Sequence, residues 1–502
     1  MAWTGGPLRI AVLIKQIPAV EEMQLGEDGR LVRDGVDLEM SAFCRRAVSK
    51  SVELATSITG SSITVLTLGP PAAEDVLREA IAWGRGRGAE IRGVLLSDTT
   101  FVGSDTIATA RALTGALRRE GPFDLVLTGK NSLDADTGQV PPQIAELLDL
   151  PLAAGVKRLD VENDLLRVGC EHDDGWVEAE LQLPALLSCA ERLCEPSKVP
   201  PQQRADIPAD LIRTLRAADI GLGTWGAAGS LTKVGAYRSI QIQRGRRLLP
   251  DAPVDVQVHE AVRELRWRGA LNVKGVRAAR PLPTTGGPGH VVAVIADPGH
   301  DALTRDLCGL AARLASEVNG STLLFAPNDL GAAVAGSWGA DHLVRIVGCD
   351  VEEDIALAVT SFVWEMPMRP WAILASSTAY GREVASRVAA TISAGLTGDA
   401  SDVEVVAGRL VAWKPAFGGQ LVAPVTATSP VQYLKTVRLH QALRLMLHAD
   451  LGAAQAAYRV GYTSASQFSR EFKRLFGASP RHEVAKLRQA AGGEAPREPL
   501  AS

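Results

Sequence analysis

The stretch GKNSLDADTGQVPPQ, at residues 129–143, places hydroxyl, amide and carboxylate side chains directly after a short apolar run. A buried strand ending at Gly129 would release the chain into a polar loop before a helix, and ligands of open α/β sheets bind outside the carboxyl ends of strands. The N–H groups at the start of the following helix favour an anion such as phosphate. Ser132 and Thr137 carry hydroxyls, and Thr137 could donate to a phosphate oxygen, with Gln139 adding an amide. Asp134 and Asp136 would repel phosphate, which suits them to capping the helix or accepting from ribose hydroxyls. Spacing alone fits an ordinary capped strand–helix loop as well.

A second group lies near the C-terminus. Two short helical patterns, LGAAQAAYRVGY and SASQFSREFKRLFG, are joined by a turn containing Gly461. The second carries Ser464, Ser466, Gln467, Arg470, Lys473 and Arg474. Polar side chains early in such a helix can reach base edges in a major groove, while Lys and Arg contact phosphates. Residues 430–489 hold ten Lys/Arg against three Asp/Glu, so this segment is +7 and the rest of the −4 chain is −11. A basic tail on an acidic body suggests two partners of opposite character. The cysteines at 44, 170, 189, 194, 308 and 349 form no CxxC pair and no metal-ligand spacing. No nucleophile–base pair or paired catalytic carboxylates stand out, so hydrolysis is not expected.

The elements that must position these groups alternate. Apolar runs at 9–14, 62–68, 91–96 and 124–128 are separated by helical patterns at 43–55, 72–83, 104–118 and 139–148. This order predicts a parallel, doubly wound sheet. After Pro151, VKRLDVENDLLRVGCE and WVEAELQLPALLSCAE look like an antiparallel extension. Residues 197–271 are Pro- and Arg-rich with one helix near 255–268, a composition that wraps a partner or another part of the chain. A Pro/Gly-rich linker follows at 280–290, and the α/β rhythm restarts and runs to about 428 as a second sheet. With 46% hydrophobic and 22% charged residues the chain is globular, and its 502 residues call for two to four domains. Scattered thiols, no signal-peptide pattern and no membrane-spanning run point to a cytoplasmic protein without membrane insertion.

DADTGQVPPQIAELL resembles the acidic–Asp–Thr–x–Gln–Val signature of electron transfer flavoprotein β subunits, where it holds the phosphate and ribose of AMP or of a second FAD. IAVLIKQIPAV resembles the family's first strand and turn, MSAFCRRAVSKSVELA the helix flanking the adenine, and TVLTLGPPAAEDVLREAIAWG the second strand and helix. The resemblance covers 8–272 and implies cofactor contacts from Leu13, Lys15, Ser41, Cys44, Gly69, Gly129, Ser132, Asp134, Asp136, Thr137 and Gln139. LPALLSCAERLCEPSKVP is similar to the loop that docks partner dehydrogenases, which implies docking through Leu193, Glu195 and Pro196. GSLTKV and VRELRWRGAL resemble the family's C-terminal arm. The implied partners are an acyl-CoA-type or other flavin dehydrogenase and a quinone-reducing acceptor.

STAYGREVASRVAATISAGLTGDASDVEV and KPAFGGQLVAPVTATSP resemble the N-terminal domain of the α subunit, which makes Tyr380, Arg382, Thr397 and Asp399 structural. In that family a domain holding the redox FAD comes next, and nothing after Pro430 resembles it. SPVQYLKTVRLHQALRLML and GAAQAAYRVGYTSASQFSREFKRLFGASPRH instead resemble the linker helix and second helix-turn-helix of AraC/XylS-type regulators, with Phe468, Phe472 and Phe476 as core. A single such motif would bind DNA weakly and with strong salt dependence unless the chain forms a homodimer. The expected domains are 1–200 (β-like), 201–272 (arm), 273–289 (linker), 290–429 (α-like), 430–490 (helix-turn-helix) and 491–502 (disordered tail). The expected fold is α/β, with two flavodoxin-like, adenine-nucleotide-binding, doubly wound parallel sheets plus a small all-α domain. Functionally this implies an electron carrier, rather than a substrate-transforming enzyme, that binds AMP or FAD. The alternatives are a transcription regulator with a flavoprotein-like sensor body and a non-functional gene fusion at TSPVQ.

Overall fold

The computed structural model of the chain describes residues 6–19, 32, 35–162, 165–173, 175–239, 252–270, 282–416, 421–427, 439, 442–443, 445–447, 451–460, 462, 465–476 and 478–484. The expected linker helix at 431–448 and the linker at 273–289 lie partly outside the described residues, and the tail at 491–502 wholly so.

The first unit begins with β1 (Arg9–Leu13), a short ribbon of β2 (Gln16–Pro18) and β3 (Leu38–Met40), and α1 (Ala42–Ser57). β4 (Ser62–Leu68), α2 (Glu74–Arg85), β5 (Glu90–Leu96), α3 (Thr106–Glu120), β6 (Leu125–Gly129) and α4 (Val140–Leu148) follow. β1 is central: β4 pairs with it in parallel on one side and β6 on the other. The Val, Ile and Leu side chains of β1 alternate between two buried layers, one against α1 and α2 and the other against α3 and α4. Each such side chain, fully buried, contributes about 1.5–3 kcal/mol.

The antiparallel extension forms as β7 (Leu152–Glu162), β8 (Leu165–His172) and β9 (Gly175–Gln182). The rest of that stretch departs from expectation. β10 (Ala185–Cys189) inserts between β6 and β7, parallel to both. Its sequence ALLSC is buried at every position, as an interior parallel strand must be, whereas β9 is exposed at nearly all of its positions.

The Pro-rich segment does wrap the chain. It contains α5 (Pro201–Ala205), β11 (Ile212–Leu215), which extends the sheet beside β5, α6 (Gly226–Gly229), β12 (Thr232–Val234), β13 (Arg238–Ser239) and α7 (Val254–Trp267). Asp105, the N-cap of α3, fastens its course by accepting from Leu231 N at 2.7 Å and Thr232 N at 2.9 Å.

The second unit repeats the rhythm as β14 (Val291–Ile295), α8 (Asp301–Glu317), β15 (Ser321–Pro327), α9 (Ala332–Trp338), β16 (His342–Ile346), α10 (Glu352–Glu365), β17 (Ala372–Leu374) and α11 (Ala379–Ile392). Its sheet is parallel, ordered β16-β15-β14-β17, with helices on both faces. The second sheet stops sooner than expected. β18 (Asp402–Val406), β19 (Arg409–Ala416) and β20 (Leu421–Ala427) form a separate antiparallel sheet, joined at its edge by β12 and β13 of the first unit. Alternating exposure along β18 and two left-handed residues, Ala407 (φ 50°) and Gly408 (φ 73°), between β18 and β19 are hairpin features.

The units meet through α4 and α11. Arg387 on α11, 2% exposed, lies within 3.4 Å of Glu146 on α4 and Glu353 on α10 and within 3.1 Å of Glu383. The β8–β9 turn adds Asp173, which accepts from Ala379 N at 2.7 Å. In the C-terminal part, α12 (Ala453–Arg459) and α13 (Ala465–Phe476) enclose a core containing Phe468 and Phe472. No helix among the described residues is long and apolar enough to cross a membrane.

Candidate functional site

β1 and β6 are neighbours whose connections leave in opposite directions, so their carboxyl ends open on a crevice. Leu13 ends β1, and Gly69 and Gly129 lie at the ends of β4 and β6. A Cβ on Gly129 would fall 2.9 Å from Phe43 Cβ and 3.0 Å from Cys44 N. Glycine there lets the start of α1 lie directly against β6. A Cβ on Gly69 would fall 2.8 Å from Ala73 Cβ, so the Pro71–Ala73 turn packs equally close.

Ser41 and Cys44 are both buried at this end of α1, and Ser41 N donates to Lys15 O at 3.0 Å. Burial pushes the Cys44 thiol up, partly offset by hydrogen bonding to the Lys15 backbone and the Lys15 charge. It is a neutral thiol at pH 7, a small wall of the crevice rather than a nucleophile.

The Lys15 ammonium reaches across to donate to Ser132 Oγ at 3.1 Å and Asp134 Oδ1 at 2.8 Å. The Asp134 side chain is 4% exposed and that of Lys15 40%. Asp136, left-handed at φ 47°, accepts from Asn131 Nδ2, and Gly138 (φ 62°) adds a second left-handed turn. Thr137 sits half-buried between them. Thr128 Oγ1 and Asn131 Oδ1 are buried without a hydrogen-bond partner among the described residues.

Two of the expected contributions change. Gln139 is 4% exposed and its amide oxygen accepts from Thr106 Oγ1 at 2.8 Å, which turns the side chain into the contact between α3 and α4. α4 carries Pro141 and Pro142 in its first turn, and Gln143 N is already bonded to Gln139 O. That helix therefore presents fewer free N–H groups than an ordinary N-terminus.

Sequence reasoning missed the second unit's approach to the loop. A Cβ on Gly398 would lie 3.1 Å from Gln139 Nε2. Lys414 donates to Gly398 O at 3.3 Å, and burial lowers its pKa while Asp399 and Asp136 pull it up. Arg382 forms a two-point pair with Asp399, at 2.6 and 3.1 Å. Among the described residues Thr397 Oγ1 is buried without a hydrogen-bond partner, and Tyr380 is half-buried with its phenol pushed up by burial. Thr128, at the end of β6, was also missed, although a hydroxyl in an otherwise apolar strand was legible.

Of the expected docking residues, Glu195 is exposed and Pro196 half-buried, while Leu193 packs partly against the main core. Their loop is latched to α1: Ser197 N donates to Arg45 O at 3.2 Å, Arg45 donates to Ser197 O at 3.2 Å, and the Cys194 thiol to Arg46 O at 3.4 Å. Arg45 is held in turn by the fully buried Glu79, which also pairs with Arg204 at 2.9 Å. Burial pushes the Cys194 thiol up to about 11.

On α13, Arg470 and Lys473 are exposed, whereas Phe468 and Phe472 are fully buried with ring centroids 5.4 Å apart. Phe472 meets Phe476 at 4.3 Å. Ser464 lies outside the described residues, as do the side chains of Ser466, Gln467 and Arg474.

Comparison with known proteins agrees with this division. The sequence profile described as the electron transfer flavoprotein domain matches residues 28–209, and that of a helix-turn-helix domain matches 419–485. An electron transfer flavoprotein subunit β of Thermoanaerobacterium thermosaccharolyticum is 36% identical over 38% of this chain and 70% of its own length. The corresponding subunit of Megasphaera elsdenii is 33% identical over 45% of this chain and 86% of its own. Subunit CarD of the caffeyl-CoA reductase-Etf complex of Acetobacterium woodii is 31% identical, over 46% and 87% respectively. The chain therefore belongs to the electron transfer flavoprotein family, on the β-subunit side, with an AraC-type helix-turn-helix domain fused behind it.

Proposed function

We propose that the crevice between the ends of β1 and β6 binds an adenine nucleotide, AMP or FAD, and that the chain carries electrons from a flavin dehydrogenase to a quinone-reducing acceptor. The observation carrying this reading is the convergence of Lys15, Ser132 and Asp134 at the switch point of the sheet. The residues present fit such a ligand. Thr128 Oγ1 and Asn131 Oδ1 are buried and have no hydrogen-bond partner among the described residues, and buried polar atoms of native proteins seek partners. The Lys15 ammonium would hold phosphate from one side of the crevice. The exposed Asp136 would accept from ribose hydroxyls, while the Asp134 carboxylate orients Lys15 instead. Ser41 and the neutral Cys44 thiol would flank the base. Bound FAD supplies reversible storage of one or two electrons, whereas bound AMP contributes only structure.

An absorption spectrum of the purified protein after incubation with FAD and gel filtration tests the redox part. Retained flavin bands that bleach under a dehydrogenase and its substrate support electron transfer. No flavin retained, with AMP bound instead, removes it and leaves a nucleotide-binding protein.

A second reading is favoured by a separate observation, the exposed Arg470 and Lys473 on α13 within the matched helix-turn-helix. In it the C-terminal domain binds DNA in the cytoplasm and the flavoprotein-like body reports nucleotide or redox state. Retention of duplex DNA against heparin tests it, and loss of all retention at low salt contradicts it.

A further inference from the structure

We propose that the second unit completes the nucleotide site, with Lys414 of β19 as a second cation for the phosphate of the ligand. The inference rests on the nucleotide reading and adds to that site a residue from the other unit.

The first unit alone is poorly charged for a phosphate, which carries about −1.5 to −2 as a monoester at pH 7. The loop after β6 holds two carboxylates, Asp134 and Asp136, and Lys15 is matched to Asp134 at 2.8 Å. Asp136 stays exposed beside the crevice. Lys130 does not offset it, because its ammonium turns towards β7, 4.0 Å from where a Cβ on Gly155 would stand. The start of α4 adds little, since Pro141 and Pro142 lack an N–H and Gln143 N is bonded to Gln139 O.

The second unit brings the opposite balance. Two cations, Arg382 and Lys414, stand over one carboxylate, Asp399. The Arg382 guanidinium takes both carboxylate oxygens, at 2.6 and 3.1 Å, while the Lys414 ammonium stays 4.0 Å away. An ammonium has three donors, and among the described residues Lys414 gives one, to Gly398 O at 3.3 Å. Gly398 is where this unit touches the loop, since a Cβ there would lie 3.1 Å from Gln139 Nε2. That close approach brings Lys414 within the field of Asp136, which pulls its pKa up against burial. The Lys414 side chain is 20% exposed, so its charge acts through less water than that of a surface lysine. Next to Gly398, Thr397 holds a buried hydroxyl without a partner among the described residues, as Thr128 and Asn131 hold buried acceptors in the first unit.

The competing role for Lys414 is a brace between the units, opposite Asp136. A brace would matter equally for a charged and an uncharged ligand, whereas a phosphate contact would not. Calorimetric titration of the full chain with AMP, ADP and adenosine separates the two, with far-UV circular dichroism confirming that each variant folds. Lys414→Met should lose about tenfold more affinity for AMP and ADP than for adenosine, as expected for one charge-assisted contact. Lys414→Arg should keep most of that preference, and Asp399→Asn, which leaves both cations unopposed, should raise it. Equal losses for all three ligands in Lys414→Met overturn the inference alone, as does a preference that falls in Asp399→Asn. A wild type that binds adenosine as tightly as AMP and ADP overturns it too. No binding of any of the three by the wild type removes the nucleotide reading together with it.

Discussion

Lys15 at the end of β1 and Asp134 in the loop after β6 are 119 residues apart in sequence and 2.8 Å apart in space. The ion pair closes the loop over the switch point of the first sheet and fixes the ammonium group that donates to Ser132. For the proposed nucleotide site, the pair means that one of the two loop carboxylates that would repel phosphate is already neutralised.

Replacing Lys15 by alanine should therefore weaken binding of AMP or FAD by about 10- to 100-fold, the loss of a charge-assisted contact of roughly 1.5–3 kcal/mol. Asp134→Asn should weaken it less, because the ammonium remains. Isothermal calorimetry on both variants gives the comparison. Equal losses would mean that the pair acts only as a loop brace.

Gly129→Ala tests whether the start of α1 must touch β6. The added methyl falls 2.9 Å from Phe43 Cβ and 3.0 Å from Cys44 N, a contact that one of the neighbours has to relieve. Overpacking of this kind costs about 1–3 kcal/mol. Chemical denaturation should register that loss, accompanied by reduced nucleotide affinity. Full affinity with lowered stability would separate α1 from the site.

The contact between the units should depend on pH. Burial pushes the Glu383 carboxyl up to about 7, against the pull of Arg387, and the neighbouring charge of Glu352 adds to the rise; Glu353 is raised in the same sense. Since Glu383 binds its proton more readily folded than unfolded, its contribution is full below the ordinary carboxylate range and is lost as pH rises through about 7. Thermal melts of the wild type and Glu383→Gln, followed from pH 5 to pH 8, should converge at the acid end. At the alkaline end the glutamine variant should be the more stable. Parallel curves would remove the assignment.

For the C-terminal domain, the paired substitution Arg470→Ala with Lys473→Ala should lower DNA affinity at all sequences alike. If both side chains contact phosphates, the slope of log affinity against log salt should fall by about 2. Gel retardation at several salt concentrations measures it. An unchanged slope would place the contacts elsewhere.

The parallel strands and their helices were legible because runs such as LVLTG and VVAVI can only be buried on both faces, and the intervening helices are amphipathic. β10 was misread because ALLSC follows an alternating stretch with only Leu183 and Pro184 between, and nothing local says that the chain re-enters the sheet interior. The antiparallel sheet of β18 to β20 depends on β12 and β13, far away in sequence, so no local pattern announces it. Within the site, the motif residues stood out by type, yet the partner each side chain selects did not. Gln139 could be recognised as an amide, whereas its bond to Thr106 follows from how α3 packs on α4. Lys414 gave no signal, because the charges of Asp399 and of Asp136 in the other unit reach it only in the folded chain.

The most direct test of the central claim is a calorimetric titration of the wild-type chain with AMP and with FAD, repeated on Lys15→Ala. The account predicts saturable binding of at least one nucleotide at a single site per chain, lost or strongly weakened in the variant. Absence of binding by both nucleotides up to about millimolar concentration, or binding that Lys15→Ala leaves unchanged, would contradict it.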